Sequence, residues 1–283
     1  MTDVSSSALP QGGLSLLAWC SRPTLPADQW PELRRRAASI GAWPPVLVHA
    51  ERHGLAPLLY RHLHDAGLRF GDDDWTRLQG LFLRHRHANR VRRQALRDIV
   101  DALATRGIDV RVLKGMALMH LVYPDAALRP VADLDLLVPP DAADAVLEEL
   151  RRRGFATPQG LVAHKDRHHL PGLTQTIAGV PVQIEVHVDA ISRDNVTSLT
   201  MGALRGQAVG FSIEGTRVQT LSVDDMVWQL AEHMVGPLPR PLRMIWLADI
   251  RAWAERFVAD IDWTRVRVER PVVGHVLALA HAM

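Results

Sequence analysis

The sequence predicts an α+β fold, with a strand-bearing core at about residues 106–215 between helical regions at 1–105 and 216–283. Three observations predict it. Apolar residues keep a helical spacing from Pro26 to Gly107. The spacing then changes to alternation in D-V-R-V-L (109–113), A-D-L-D-L-L-V (132–138) and V-Q-I-E-V-H-V (182–188). Beyond residue 216 the helical period returns, with Val227, Leu230, Ala231 and Met234 at i, i+3, i+4 and i+7.

Taken in order, the first ~20 residues contain Ser5 to Ser7 and Gly12-Gly13 and read as a poorly ordered terminus. Helices follow, punctuated by Gly41, Pro44-Pro45, Gly54, Gly67 and the acidic turn from Gly71 to Asp74. Trp75 to Arg106 holds no proline, so it reads as one long helix stopped by Gly107, with Leu78, Phe82, Leu96, Ile99 and Leu103 as its buried stripe. Asp109 to Leu113 is a strand, Met116 to Tyr123 a short helix ended by Pro124, and Ala132 to Val138 a second strand ended by Pro139-Pro140. Asp141 to Arg153 is a helix whose acidic start and Arg151-Arg152-Arg153 end suit its dipole. Leu173 to Ala178 and Val180 to Asp189 form a hairpin around Gly179 and Pro181. Ser222-x-x-Asp225 opens a helix with a capping-box pattern, and the Gly236 to Pro241 link leads into a last predicted helix, Leu242 to Phe257, with Trp246, Ile250, Trp253 and Phe257 on one face.

Composition excludes several classes. The 283 residues are 47% hydrophobic and 23% charged, as in globular chains rather than disordered, collagenous or coiled-coil ones. One cysteine, Cys20, rules out an internal disulfide and a cysteine-built zinc cluster. No apolar run approaches the ~18 residues of a membrane helix, and Leu14 to Cys20 lacks the basic lead-in of a signal peptide, so a cytoplasmic protein without membrane partners is expected. Only Lys114 and Lys165 among the 33 basic residues are lysines. A GC-rich genome explains that bias most simply and makes arginine counts weak evidence for nucleic-acid binding.

The chemistry-bearing segment is Asp133-Leu134-Asp135. On a strand, residues i and i+2 share a side, so both carboxylates project together. At ~4 Å, two like charges repel by about 4 kcal/mol at an effective dielectric of ~20. A divalent cation relieves that repulsion, and oxygen ligands suit Mg²⁺; an exposed edge strand guarded by charge is the bland alternative. Glu185 lies on the polar face of 182–188, with Gln183 and His187. Three carboxylates on neighbouring strands match two-metal phosphoryl transfer. Lys114-Gly115 stands where a helix begins, a place that binds phosphate. Arg129 can grip phosphate in a bidentate manner, or else pair with Asp125.

These segments together carry a resemblance. V-L-K-G-M-A-L (112–118), Y-P-D (123–125), L-R-P-V-A-D-L-D-L-L-V-P (128–139) and I-E-V-H (184–187) resemble the polymerase-β-like nucleotidyltransferase superfamily. The closer likeness is to a branch of largely uncharacterised bacterial nucleotidyltransferases. The helix at 221–233, L-A-D-I (247–250) and I-D-W-T-R-V (261–266) extend it, so that it spans roughly residues 100 to 270. The resemblance implies a small mixed sheet, with Asp133, Asp135 and Glu185 as catalytic residues and as ligands of two Mg²⁺ ions. Glu185 would also help to deprotonate the acceptor hydroxyl. The donor would be a nucleoside triphosphate, ATP being the one expected, handled by Lys114, Gly115 and Arg129; the acceptor is open, whether small molecule, protein or nucleic acid. The chain departs from the wider superfamily in having Lys-Gly where Gly-Ser usually follows the first strand. A non-catalytic, antitoxin-like binder on the same fold is the rival.

Other groups carry less. His233 and Asp249 are expected to pair across two C-terminal helices. Arg84, Arg86, Arg90, Arg92, Arg93 and Arg97 crowd the long helix without keeping to one face. His49 with His53, and His168 with His169, lack the companions of a zinc site.

Overall fold

A computed structural model describes residues 9–10, 12–158, 170–191, 198–235 and 241–282; His168, His169, Lys165 and most of the Gly236 to Pro241 link lie outside these. Four helices lead in: α1 (Gly13–Trp19), α2 (Trp30–Ala38), α3 (Trp43–Arg52) and α4 (Ala56–Asp65). The presence of α1 corrects the expectation of a poorly ordered start for residues 13–19; residues 1–8 and 11, on which the rest of it falls, lie outside the described residues. Leu16, Leu17 and Cys20 are fully buried, and burying two leucines offsets the ordering cost of a seven-residue helix. Burial also pushes the Cys20 thiol up to about 12, in spite of Arg36 nearby, leaving it an inert core residue.

The expected long helix is α5 (Asp72–Thr105), whose first turn carries Asp72, Asp73 and Asp74. It serves two cores. Trp75, Leu78 and Phe82 join the helices at both chain ends, while Val91, Leu96, Ile99 and Leu103 pack under the sheet. The middle of the chain then runs β1 (Arg111–Val112), α6 (Lys114–Leu121), β2 (Asp133–Leu137), α7 (Ala143–Arg152), β3 (Leu173–Ile177) and β4 (Val180–His187). The sheet order is β1-β2-β4-β3, with β2 and β4 parallel and both outer pairs antiparallel. This is the α+β architecture and mixed sheet that the sequence implied. The β3–β4 hairpin turns on Ala178 and Gly179, both at positive φ (48° and 77°), the two-residue geometry whose twist matches paired strands.

A second hairpin, β5 (Gly210–Ile213) and β6 (Thr216–Gln219), was not anticipated. Its turn, Glu214-Gly215, falls at the expected 215/216 boundary. Ile213 and Val218 are its buried residues and join the core beneath the sheet; with only two apolar anchors the alternation was too short to read. The chain closes with α8 (Val223–Val235), α9 (Met244–Arg256), α10 (Trp263–Glu269) and α11 (Pro271–His281). At the start of α8 the Ser222 hydroxyl accepts from the Asp225 N–H at 3.2 Å. The Asp225 carboxylate turns instead to the Arg205 N–H at 3.0 Å, so only half of a capping box forms. The indole N–H of Trp253, wholly buried in α9, donates to the Val223 carbonyl and ties the last two long helices together.

Candidate active site

The site is built on the parallel pair β2–β4. The register sets Asp133 opposite Gln183 and Asp135 opposite Glu185, with Leu137 opposite His187. Alternation along each strand therefore gathers Asp133, Asp135, Glu185 and His187 on one face, while Leu134, Leu136, Ile184 and Val186 enter the core on the other. The two strands come from distant parts of the chain, and only their pairing makes the third carboxylate a neighbour of the first two.

Asp135 is the hub. It is 3% exposed, and its Oδ1 accepts from Lys114 Nζ and from His187 Nε2, each at 2.8 Å. Because the acceptor is an ionised carboxylate, the imidazole proton sits on Nε2. Burial alone would raise the Asp135 carboxyl, but Lys114 and the His187 hydrogen bond overcome it and hold the group well below the usual carboxylate range. Burial likewise lowers His187, against the pull of Asp135, keeping the ring neutral. Lys114 is pushed the opposite way: burial disfavours its charge, but Asp135 and Asp133 outweigh that and raise it.

Asp133 experiences the reverse balance. Burial and the Asp135 charge push it up to about 6, against the pull of Lys114. One lysine does not offset the carboxylates gathered here. Oxygen donors carrying uncompensated negative charge are the chemistry that a hard divalent cation fits. Asp135, Glu185 and His187 each present a ligand atom within 4.8 Å of the others; Asp133 stands one alternate position along β2.

Lys114 has φ 49°, the left-handed region that non-glycine residues enter at a cost of about 1–3 kcal/mol. It sits at the first turn of α6, directly after the β1 edge that pairs with β2, and the Leu113 N–H bonds the Asp135 carbonyl at 3.0 Å. The strained turn is therefore fixed on the same residue that Lys114 neutralises.

The two other expected phosphate-handling groups, Gly115 and Arg129, line the same cleft as Lys114 and Asp133, and each is packed against a neighbour there. Arg129 is buried, with Nη2 at 2.5 Å and Nε at 3.2 Å from Asp249 Oδ2, and its Nη1 on the Pro130 carbonyl. Tyr123 adds a hydroxyl hydrogen bond to Asp249 Oδ1 at 2.7 Å. This triad ties the loop before β2 to α9. Gly115 gives Arg129 its room: a Cβ there would meet Arg129 Nη1 at 2.5 Å. The glycine thus admits the guanidinium. Asp125, the other partner considered for Arg129, pairs with Arg61 at 2.7 Å. The expected pairing of His233 with Asp249 is replaced by the triad, and the His233 ring packs edge-to-face on Trp246 at 5.0 Å.

Lys114, Asp133, Asp135, His233, Arg243 and Trp246 line one cleft, whose void, open mouth included, is about 700 Å³. His187, Arg243 and Trp246 had no assigned role in the sequence. His187 was legible in principle, two residues beyond Glu185 on the same strand face. Nothing in the sequence around Arg243, on the far side of the chain from β2, links it to this cleft.

Residues 23–281 match a family described as uncharacterised nucleotidyltransferase. No curated protein matches the chain. Solved structures with partial likeness include ANT(2″)-Ia in complex with adenylyl-2″-tobramycin, at 16% identity and a TM-score of 0.43 over 65% of this chain and 97% of that one. The solution structure of the antibiotic-resistance factor ANT(2″)-Ia matches at 18% identity and 0.42, over 67% and 95%. An antigenic nucleotidyltransferase-like protein from Paracoccidioides brasiliensis matches at 13% and 0.41, over 66% and 92%.

Proposed function

This chain belongs to the family of uncharacterised nucleotidyltransferases, and on that premise we propose that it transfers a nucleoside monophosphate from a triphosphate, ATP first among candidates, to an acceptor hydroxyl. Asp133, Asp135 and Glu185 would hold two Mg²⁺ ions. When bound, these supply Lewis-acid neutralisation of the triphosphate charge. The observation that carries the reading is the Asp135–Glu185 register on adjacent parallel strands, with Asp133 on the same face.

The chain's own groups then have distinct tasks. Glu185 is half-buried, where Asp135 is buried, and is placed to take the acceptor's proton. The acceptor oxygen forms a bond to the α-phosphorus, the bond from that phosphorus to the bridging oxygen breaks, and pyrophosphate leaves with the electron pair. His187 and Lys114 position Asp135 through its Oδ1 and leave Oδ2 for the reaction. Trp246 and Leu230 give the cleft an apolar wall suited to a base or sugar. Catalysis rests on alignment and charge compensation rather than on a protein nucleophile.

One observation favours the rival reading. The Lys114–Asp135 pair already neutralises one carboxylate without metal, as a non-catalytic binder would require. Calorimetry with α,β-methylene ATP separates the two: a nucleotidyltransferase binds it only with divalent metal, whereas a pure interaction module ignores both. Incubation with each labelled triphosphate, Mg²⁺ and host lysate then tests transfer, with Asp133→Ala as the control. Label incorporation by the Asp133→Ala protein equal to wild type would refute the assignment.

A further inference from the structure

The cleft does not end at Asp133. A groove whose void, open mouth included, is about 720 Å³ continues from it between α5 and the β3–β4 turn, sharing Pro130, Ala132 and Arg243 with the cleft and adding Arg84, His85 and Arg92. Lys114 lines the cleft and not the groove; Arg84 and Arg92 line the groove and not the cleft. Five of the seven arginines of α5 are thus sorted by the tertiary structure. Arg84 and Arg92 face this groove, while Arg86, Arg90 and Arg93 line a separate cavity beside Asp125.

The groove is more cationic than its neighbours require. Glu51 pairs with Arg84 and accepts from His85 Nε2 at 2.9 Å, so those two are partly compensated. Arg92 and Arg243 are not. Arg92 is 9% exposed, donates from Nη2 to the Pro181 carbonyl at 3.1 Å, and has its Nε buried with no hydrogen-bond acceptor. Arg243 donates from Nε to the Arg52 carbonyl at 3.2 Å. Among the described residues neither guanidinium has an ion-pair partner. Burial pulls both below arginine's ordinary value, although Asp133 draws Arg92 back up and Glu51, Asp249 and Asp133 do the same for Arg243 from beyond ion-pair distance. A buried guanidinium with an unsatisfied Nε, Arg92, beside a half-buried one without an ion pair, Arg243, fits a planar or tetrahedral oxyanion.

We propose that this groove is the acceptor subsite, and that it selects an acceptor bearing an anionic group, phosphate or carboxylate, close to the hydroxyl that is modified. The proposal rests on the nucleotidyl-transfer reading for its chemistry, although the anion site itself does not. Displacement at phosphorus needs the entering and leaving oxygens on opposite sides. A triphosphate on the Lys114 side of Asp133 leaves the Arg92 side for the entering alcohol. Arg92 and Arg243 then grip the acceptor's anion and hold the hydroxyl on the carboxylate face that Asp133 and Glu185 share.

The test is a calorimetric titration of the full chain with inorganic phosphate, in EDTA and again after saturation with α,β-methylene ATP and Mg²⁺. Saturable phosphate binding is expected in both states. Arg92→Met should weaken it at least about tenfold, the effect of losing one charge-assisted hydrogen bond, and Arg243→Met, at the half-buried partner in the grip, should weaken it several-fold. Thermal melts show whether Arg92→Met has kept its structure; if it has not, Arg243→Met decides. No saturable binding to wild type, or variants that bind as wild type does, would overturn the proposal. So would displacement of phosphate by the analogue, which would make the groove the triphosphate's own seat. Absence of analogue binding would instead sink the nucleotidyl-transfer reading, while the EDTA titration would still decide the groove.

Discussion

Arg129 separates a structural role from a phosphate-binding one, and the separation can be measured. In the folded protein its guanidinium is 9% exposed and lies against Asp249, 1% exposed, with the Tyr123 hydroxyl on the same carboxylate. Arg129→Met removes the cation and strands a buried anion supported by one hydroxyl. Removing one partner of a buried pair typically costs about 3–5 kcal/mol. Asp249→Leu strands the guanidinium and should cost a similar amount. The double variant leaves neither charge uncompensated, so most of the loss should return, giving a coupling of at least about 2 kcal/mol in a double-mutant cycle. Gly115→Ala should follow Arg129→Met in direction, since its methyl would press on Nη1. Urea unfolding at pH 7 gives each free energy. If Arg129→Met unfolds within about 1 kcal/mol of wild type yet loses nucleotide affinity, the triad does not hold the fold and Arg129 is a phosphate ligand after all.

Two further predictions concern the carboxylates. Asp133 has a folded value of about 6 against an ordinary 3.8, so the folded protein holds that proton more tightly than the unfolded chain. In EDTA, stability should therefore fall as pH rises from about 4 to about 6, by at most ~3 kcal/mol at ~1.4 kcal/mol per unit. Asp133→Asn should remove that part of the slope in thermal melts, and identical slopes for the two proteins would disprove the crowding of charge. His187→Ala should weaken Mn²⁺ or Mg²⁺ binding roughly 10–100-fold, as loss of a group orienting a ligand does, without unfolding the chain. Calorimetry with the metal alone reads this, and an unchanged affinity would remove His187 from the site.

Much of the fold was legible because it follows from local rules. The length of α5 came from the absence of proline between Trp75 and Arg106, and β2 and β4 from alternation. The hairpin turn came from a glycine at a position that needs positive φ. The failures share a cause. A short element such as α1 or the β5–β6 hairpin is stabilised by what it packs against, and neither its propensity nor its brief period stands out. A glycine at a helix start and a lone arginine suit phosphate handling; that Arg129 also packs on Gly115 and pairs with an aspartate 120 residues away is a tertiary contact no local rule shows.

The sequence by itself determined that two aspartates share a side of one strand and that Glu185 and His187 share a side of another, because strand side chains alternate with a period of two. It could not determine that the strands are neighbours, in parallel, with Asp135 opposite Glu185. Strand order and register depend on burying one apolar face against α5 and α7, a property of the whole packed core. The same holds for the cations. That arginines abound is written in the chain, but which of them line a groove next to the carboxylates without an ion-pair partner is set by how α5, the β3–β4 turn and the approach to α9 close on one another.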